Sequence, residues 1–156
     1  RRAMTRRHPG CRAKPGDEVR GVAVEPQANA DNTLRGGLTE KHVGTEELLR
    51  ILDTTERPPH RVAPLVRPDG IELYLPPVPD FRLARVTAAA GTRGTLRGDG
   101  PSVLFCVEGR ITARTVSARA AVRSGESVFV PAGQGPIEVS GEGVAFWATT
   151  NVDGMA

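Results

Sequence analysis

From residue 71 onward the chain is cut into seven short apolar runs: Ile71–Leu75, Phe81–Thr87, Val103–Val107, Ile111–Thr115, Ser127–Val130, Pro136–Val139 and Val144–Thr149. Each has the length of a strand, is rich in branched residues and ends at a Gly, Pro or Asp turn. No long helical pattern lies between them to carry a crossover, and this argues against a parallel sheet. The spacing therefore predicts that residues 70 to 150 form an antiparallel all-β barrel or sandwich. Glu108-Gly109 and Gly141-Glu142-Gly143 read as tight hairpin turns. The alternation places Phe105, Val107, Val128, Val130 and Phe146 inside. Tyr74 and Trp147, within strands, read as core aromatics, and Cys106, inside an apolar run, as a small buried hydrophobe.

Upstream the pattern changes. Thr45 can cap a short helix ending near Asp53, with Glu46 and Glu47 in its first turn and Leu48, Leu49 and Leu52 forming one apolar face. Between Thr54 and Pro68 stand Pro58, Pro59, Pro64 and Pro68. These prolines remove backbone donors, and the stretch reads as an extended connector without a regular element.

The run Gln27-Ala-Asn-Ala-Asp-Asn-Thr-Leu-Arg-Gly-Gly-Leu-Thr-Glu-Lys41 carries the chemistry. Asn29, Asp31 and Asn32 fold back on their own backbone, and Gly36-Gly37 opens conformations closed to other residues, so a turn is expected. Arg35 contributes a planar fork of donors and Lys41 a compact point charge, a pair suited to an anion such as phosphate. Two solvated cations on a surface turn are the alternative reading of the same residues.

A chain of 156 residues can bury roughly 68–70% of its unfolded surface, enough for one core. No apolar run approaches the roughly 20 residues of a membrane span, and the basic N-terminus has no apolar core of a leader peptide. Cys11 and Cys106 lack metal-type spacing, and a reducing cytoplasm suits them best. Residues 1–20 hold seven Lys or Arg against Asp17 and Glu18, giving 7 − 2 = +5 of the overall +3. That arm has neither interleaved aromatics nor a reading motif, so disorder is expected of it and no nucleic-acid partner.

The Gln27–Lys41 run and its flanks closely resemble the signature of type I mannose-6-phosphate isomerases, metal-dependent cupin enzymes. There a Glu-x-Met-Ala-x-Ser-Asn-like stretch leads through Asp-Asn to Arg-Ala/Gly-Gly-x-Thr-Pro-Lys. The matching positions are Glu25, Ala28, Asp31, Asn32, Arg35, Gly36, Gly37, Thr39 and Lys41; Gln27, Ala30 and Glu40 depart from the pattern. His42-Val43 and Glu46–Asp53 are similar to the family's continuation, so the resemblance runs from about Val19 to the C-terminus. In addition, Gly125-Glu-Ser-Val-Phe-Val-Pro131-Ala-Gly133 resembles the second cupin motif, Gly-x5-Pro-x-Gly-x2-His-x3-Asn. Pro136 and Ser140 stand at its histidine and asparagine positions.

The resemblance implies a cupin-like antiparallel β-barrel or jelly roll with one short helix, over residues 70–156. Residues 19–43 would be the signature segment, 44–69 the short helix and connector, and 1–18 a foreign or disordered beginning. It implies the C-terminal part of an enzyme that interconverts mannose 6-phosphate and fructose 6-phosphate by enediol proton transfer. Arg35 would be the catalytic cation at the enediolate, Lys41 would sit nearer the phosphate, and Asp31 and Asn32 would shape the turn or touch the sugar. Zinc is the family's metal, but none is expected in this chain. Gly16 occupies the position nine residues before Glu25 where the resemblance implies a ligand histidine, and the other ligands belong to a portion N-terminal to these residues. His42 and His60 alone cannot hold zinc. The alternative is a cupin-like binding or interaction module that keeps the fold without the reaction.

Overall fold

The structure, a computed structural model, describes residues 24–27, 34–35, 40–56, 61–78 and 80–150. A short helix, α1 (Thr45–Ile51), precedes eight strands: β1 (Leu65–Val66), β2 (Ile71–Tyr74), β3 (Phe81–Ala88), β4 (Arg93–Leu96), β5 (Ser102–Arg114), β6 (Arg119–Arg123), β7 (Ser127–Val130) and β8 (Ile137–Thr150). Every pairing is antiparallel. The path runs β1-β2-β3-β8-β5-β6, with β4 added on β8 and β7 on β5. The two long strands β5 and β8 form the spine. Along its outer edge β8 takes first β4 and then β3, while β5 takes β7 and then β6. Both long strands are thereby paired on each side, which leaves the unpaired edges to the shorter strands β1, β4, β6 and β7.

Two expected hairpins are absent. The runs read as separate strands on either side of Glu108-Gly109 are one strand of 13 residues, β5, and those flanking Gly141–Gly143 are one of 14, β8. The physical reason is a bulge: the β5–β8 register shifts between Cys106 and Glu108, and Gly109 (φ 71°) and Gly141 (φ 122°) take up left-handed backbone inside the strands. These glycines bend the ladder without reversing it.

The core is also half out of phase with its sequence reading. Leu104, Cys106, Ala145 and Trp147 are the buried residues of this region, joined past the bulge by Ile111, Ala113, Ile137 and Val139. Phe105, Val107 and Phe146 are half-buried and alternate with them. Val130 is buried as expected, and Val128 is half-buried but packs against the core. Val103 to Val107 is apolar on both faces, so alternation could not fix its phase, and side-chain size was the wrong guide. Trp147 and Cys106 are core residues; Tyr74 is half-buried, its hydroxyl donating to Glu72 Oε2 at 3.1 Å.

Three strands were not read from the sequence. β1 lies in the proline-rich stretch that was expected to hold no regular element, and pairs Leu65 with Leu73 and Val66 with Glu72. β4 and β6 bury little beyond Leu96 and Val122, so neither shows an apolar run. Gly44, not Thr45, is the N-cap of α1, without a side-chain cap, and the expected apolar face is exposed at Leu49 (65%) and Leu52 (55%).

Candidate functional site

Parts of the Gln27–Lys41 run lie among the described residues. Gln27 Nε2 donates to Glu25 Oε1 at 2.7 Å, which ties the start of the run to the matching glutamate position. Arg35 is half-buried, whereas Lys41 and His42 are exposed. Leu34, beside Arg35, reaches over Gly44, where a Cβ would stand 3.6 Å from its Cδ2. The run therefore approaches the start of α1, whose Glu47 and Arg50 form an exposed ion pair. That pair holds the Glu47 carboxyl below its ordinary range, because Arg50 stabilises the charged form. Asp31, Asn32 and the Gly36-Gly37 pair lie outside the described residues, as does His60.

Among the described residues no group of three His, Cys, Asp or Glu side chains could hold a metal ion. Catalytic zinc ordinarily has three protein ligands, so the described part of this chain does not fit the metal.

Sequence reasoning missed a second polar cluster. A concavity of about 430 Å³ is lined by Arg93, Thr112, Arg114, Arg119, Glu138 and Ser140. Register explains the gathering. Ser140 of β8 pairs with Arg93 of β4 and Thr112 of β5, and Arg114 of β5 pairs with Glu138 of β8 and Arg119 of β6. Period-two alternation puts these side chains on the face opposite Ile111, Ala113, Ile137 and Val139. The signal available beforehand was polar residues at alternate positions of β4, β5 and β8, with Ala121 interrupting the pattern on β6, but it surfaces only once the four-strand register is known.

Other polar pairs are structural. Arg67 Nη2 donates to Asp69 Oδ2 at 2.7 Å and Arg67 Nη1 to the Thr95 carbonyl at 3.1 Å, while Thr95 N donates to Asp69 Oδ2 at 3.3 Å. This fastens the β1–β2 turn to β4. Arg85 Nη1 donates to Glu72 Oε1 at 3.1 Å across β3 and β2. Burial, assisted by the bond to Glu72, pushes the Tyr74 hydroxyl above its ordinary pKa; burial likewise raises the Cys106 thiol.

The strand order and the Gly125–Gly133 segment, which carries β7 ahead of β8, are those of a cupin domain. Residues 72–148 match the family described as mannose-6-phosphate isomerase, cupin domain. The chain is 34% identical over 130 residues to mannose-6-phosphate isomerase of Escherichia coli, covering 83% of this chain and 33% of that protein. It is 34% identical over 128 residues to the Bos taurus enzyme, covering 77% of this chain and 30% of the relative. Among solved structures, mannose 6-phosphate isomerase of Salmonella typhimurium bound to fructose 6-phosphate and zinc superposes with a TM-score of 0.67 at 29% identity. That match covers 81% of this chain and 32% of the other. The chain thus spans about a third of the length of the relatives it matches. Among the described residues no helix is long and apolar enough to cross a membrane.

Proposed function

We propose that this chain is the C-terminal part of a mannose-6-phosphate isomerase and that its share of the reaction is a cationic one. The reading is carried by the 34% identity to the Escherichia coli isomerase, taken with the Arg35–Lys41 pattern. Aldose–ketose isomerisation moves a proton between adjacent carbons through an enediol, and negative charge grows on oxygen as it does so. A preorganised cation at that oxygen lowers the barrier. Arg35 takes that role, Lys41 lies nearer the phosphate, and Asp31 and Asn32, which precede Arg35 in the run, shape the turn or touch the sugar. The family's zinc is assigned in this reading to the remainder of the enzyme, because Gly16 stands where the resemblance implies a ligand histidine. A buried free Cys106 is in keeping with a reducing, cytoplasmic setting.

The second reading is a cupin-like binding or interaction module that keeps the fold without the reaction, in keeping with the match of residues 72–148 to the cupin domain. One experiment separates the two. The purified chain is assayed for conversion of mannose 6-phosphate to fructose 6-phosphate, alone and mixed with the N-terminal two thirds of the Escherichia coli relative. Turnover only in the mixture, lost in Arg35→Ala, supports the isomerase reading. No turnover in either case sinks it.

A further inference from the structure

The sheet face opposite the core carries an excess of positive charge at the end where β4, β5, β6 and β8 meet. Arg114 stands directly opposite Arg119, and Arg110 directly opposite Arg123. Like charges opposed across an antiparallel ladder repel, and β8 sets only two carboxylates, Glu142 in register with Arg110 and Glu138 in register with Arg114, beside these four arginines. The ion pairs found among the described residues, Glu47 with Arg50, Asp69 with Arg67 and Glu72 with Arg85, include none of these arginines. Glu138 is the one carboxylate lining the concavity and makes no ion pair there, although it pairs in register with Arg114.

We propose that the concavity lined by Arg93, Thr112, Arg114, Arg119, Glu138 and Ser140 binds a phosphate monoester of a small polyhydroxylated molecule. It shares no residue with the Gln27–Lys41 run and does not depend on the isomerase reading. Guanidinium groups present rigid forks that match phosphate oxygens two at a time, and three of them converge here from β4, β5 and β6. Thr112 and Ser140 add hydroxyls that both donate and accept, and Glu138 adds an acceptor for hydroxyl groups alone. That carboxylate sets the ligand class. It repels an extended polyanion such as nucleic acid, yet it receives the hydroxyls of a polyol whose phosphate rests on the arginines. A volume of about 430 Å³ falls in the range of small-molecule sites, about 300–1,000 Å³. Ser140 also stands at the asparagine position of the second cupin motif, and three arginines around it make this place hostile to a cation.

The test is a titration of the isotopically labelled chain followed by NMR, with fructose 6-phosphate, inorganic phosphate and unphosphorylated fructose as separate probes. Saturable shifts at Thr112, Arg114, Arg119 and Ser140, stronger with the phosphate ester than with either component, are expected. The double variant Arg114→Gln/Arg119→Gln weakens binding by about tenfold or more, since charge-assisted bonds are lost. Both positions are exposed, and an unchanged melting temperature confirms that the variant folds. Glu138→Gln erases the preference for the ester over inorganic phosphate, and Arg35→Ala changes nothing here. Absence of saturable shifts overturns the proposal, as do equal affinity for inorganic phosphate, tighter salt-sensitive binding of a polyanion, or shifts that follow Arg35 and ignore the double variant.

Discussion

Gly109 of β5 faces Gly143 of β8 across the ladder, and neither position has room for a side chain: a Cβ on Gly109 would lie 2.2 Å from the Glu142 carbonyl oxygen, and one on Gly143 at 2.2 Å from that of Glu108. The obstructing atoms are backbone, so no rotamer change relieves the overlap. Gly109 also has φ 71°, a left-handed conformation that side chains disfavour. Gly109→Ala is expected to cost about 3–4 kcal/mol, from strained backbone plus overpacking. Gly125, with φ 84° but nothing within 4 Å, is the control, and Gly125→Ala should cost only about 1–2 kcal/mol. Urea denaturation of both variants measures the difference, and equal losses would mean that the ladder crossing is not the tight point.

The phase of the core gives a second prediction. Leu104 is fully buried, while its neighbour Val103 is 42% exposed. Leu104→Ala should lower stability by about 2–5 kcal/mol through lost transfer energy and a residual cavity. Val103→Ala should change it by less than about 1 kcal/mol. A reversed order would restore the phase in which Phe105 and Val107 point inward.

What could be read in advance divides along the same strands. The antiparallel β class followed from short punctuated apolar runs, and Trp147, Cys106 and Val130 were placed correctly in the core. The hairpins at Glu108-Gly109 and Gly141–Gly143 were misread because glycine permits left-handed backbone both in a turn and in a bulge, and local sequence does not tell the two apart. β1 escaped because it stands between Pro64 and Pro68, and β4 and β6 because they bury little beyond Leu96 and Val122 and so show no apolar run. Arg35 and Lys41 stood out through chemistry at close spacing within one run. The arginine concavity did not, since Arg93, Arg114, Arg119 and Glu138 come from four strands and meet only through register.

The Arg67–Asp69 clamp should prove structural. Asp69 Oδ2 accepts from both Arg67 and Thr95 N, so removing the carboxylate strands two donors in a partly buried place. Asp69→Ala should therefore cost about 1–3 kcal/mol. Arg67→Ala should cost less, because Asp69 still caps Thr95 N. Denaturation midpoints test the order, and an Asp69→Ala variant as stable as the parent would show that the turn is held by strand pairing alone.

Cys106 yields a pH dependence. Its side chain is fully buried, and burial raises the thiol above its ordinary value of 9.0, outweighing the favourable backbone hydrogen bonds from the Glu108 and Ile111 positions. The folded chain therefore keeps a proton that the unfolded chain gives up above about pH 9. Below that value both states hold the proton and stability does not respond to this group. As pH rises past it, unfolding becomes progressively easier, by at most about 1.4 kcal/mol per pH unit. Tyr74, also raised by burial, adds to the loss at still higher pH. Comparing the stability change between pH 8 and 10 in the parent and in Cys106→Ala isolates the thiol, because Tyr74 contributes equally to both. The variant should show the shallower decline. In a Cys11→Ser background, Cys106 should also resist a thiol-specific reagent until urea unfolds the chain, since the thiolate is the reactive form. Rapid modification of the native chain at neutral pH would place the sulfur in solvent and contradict the core described for β5.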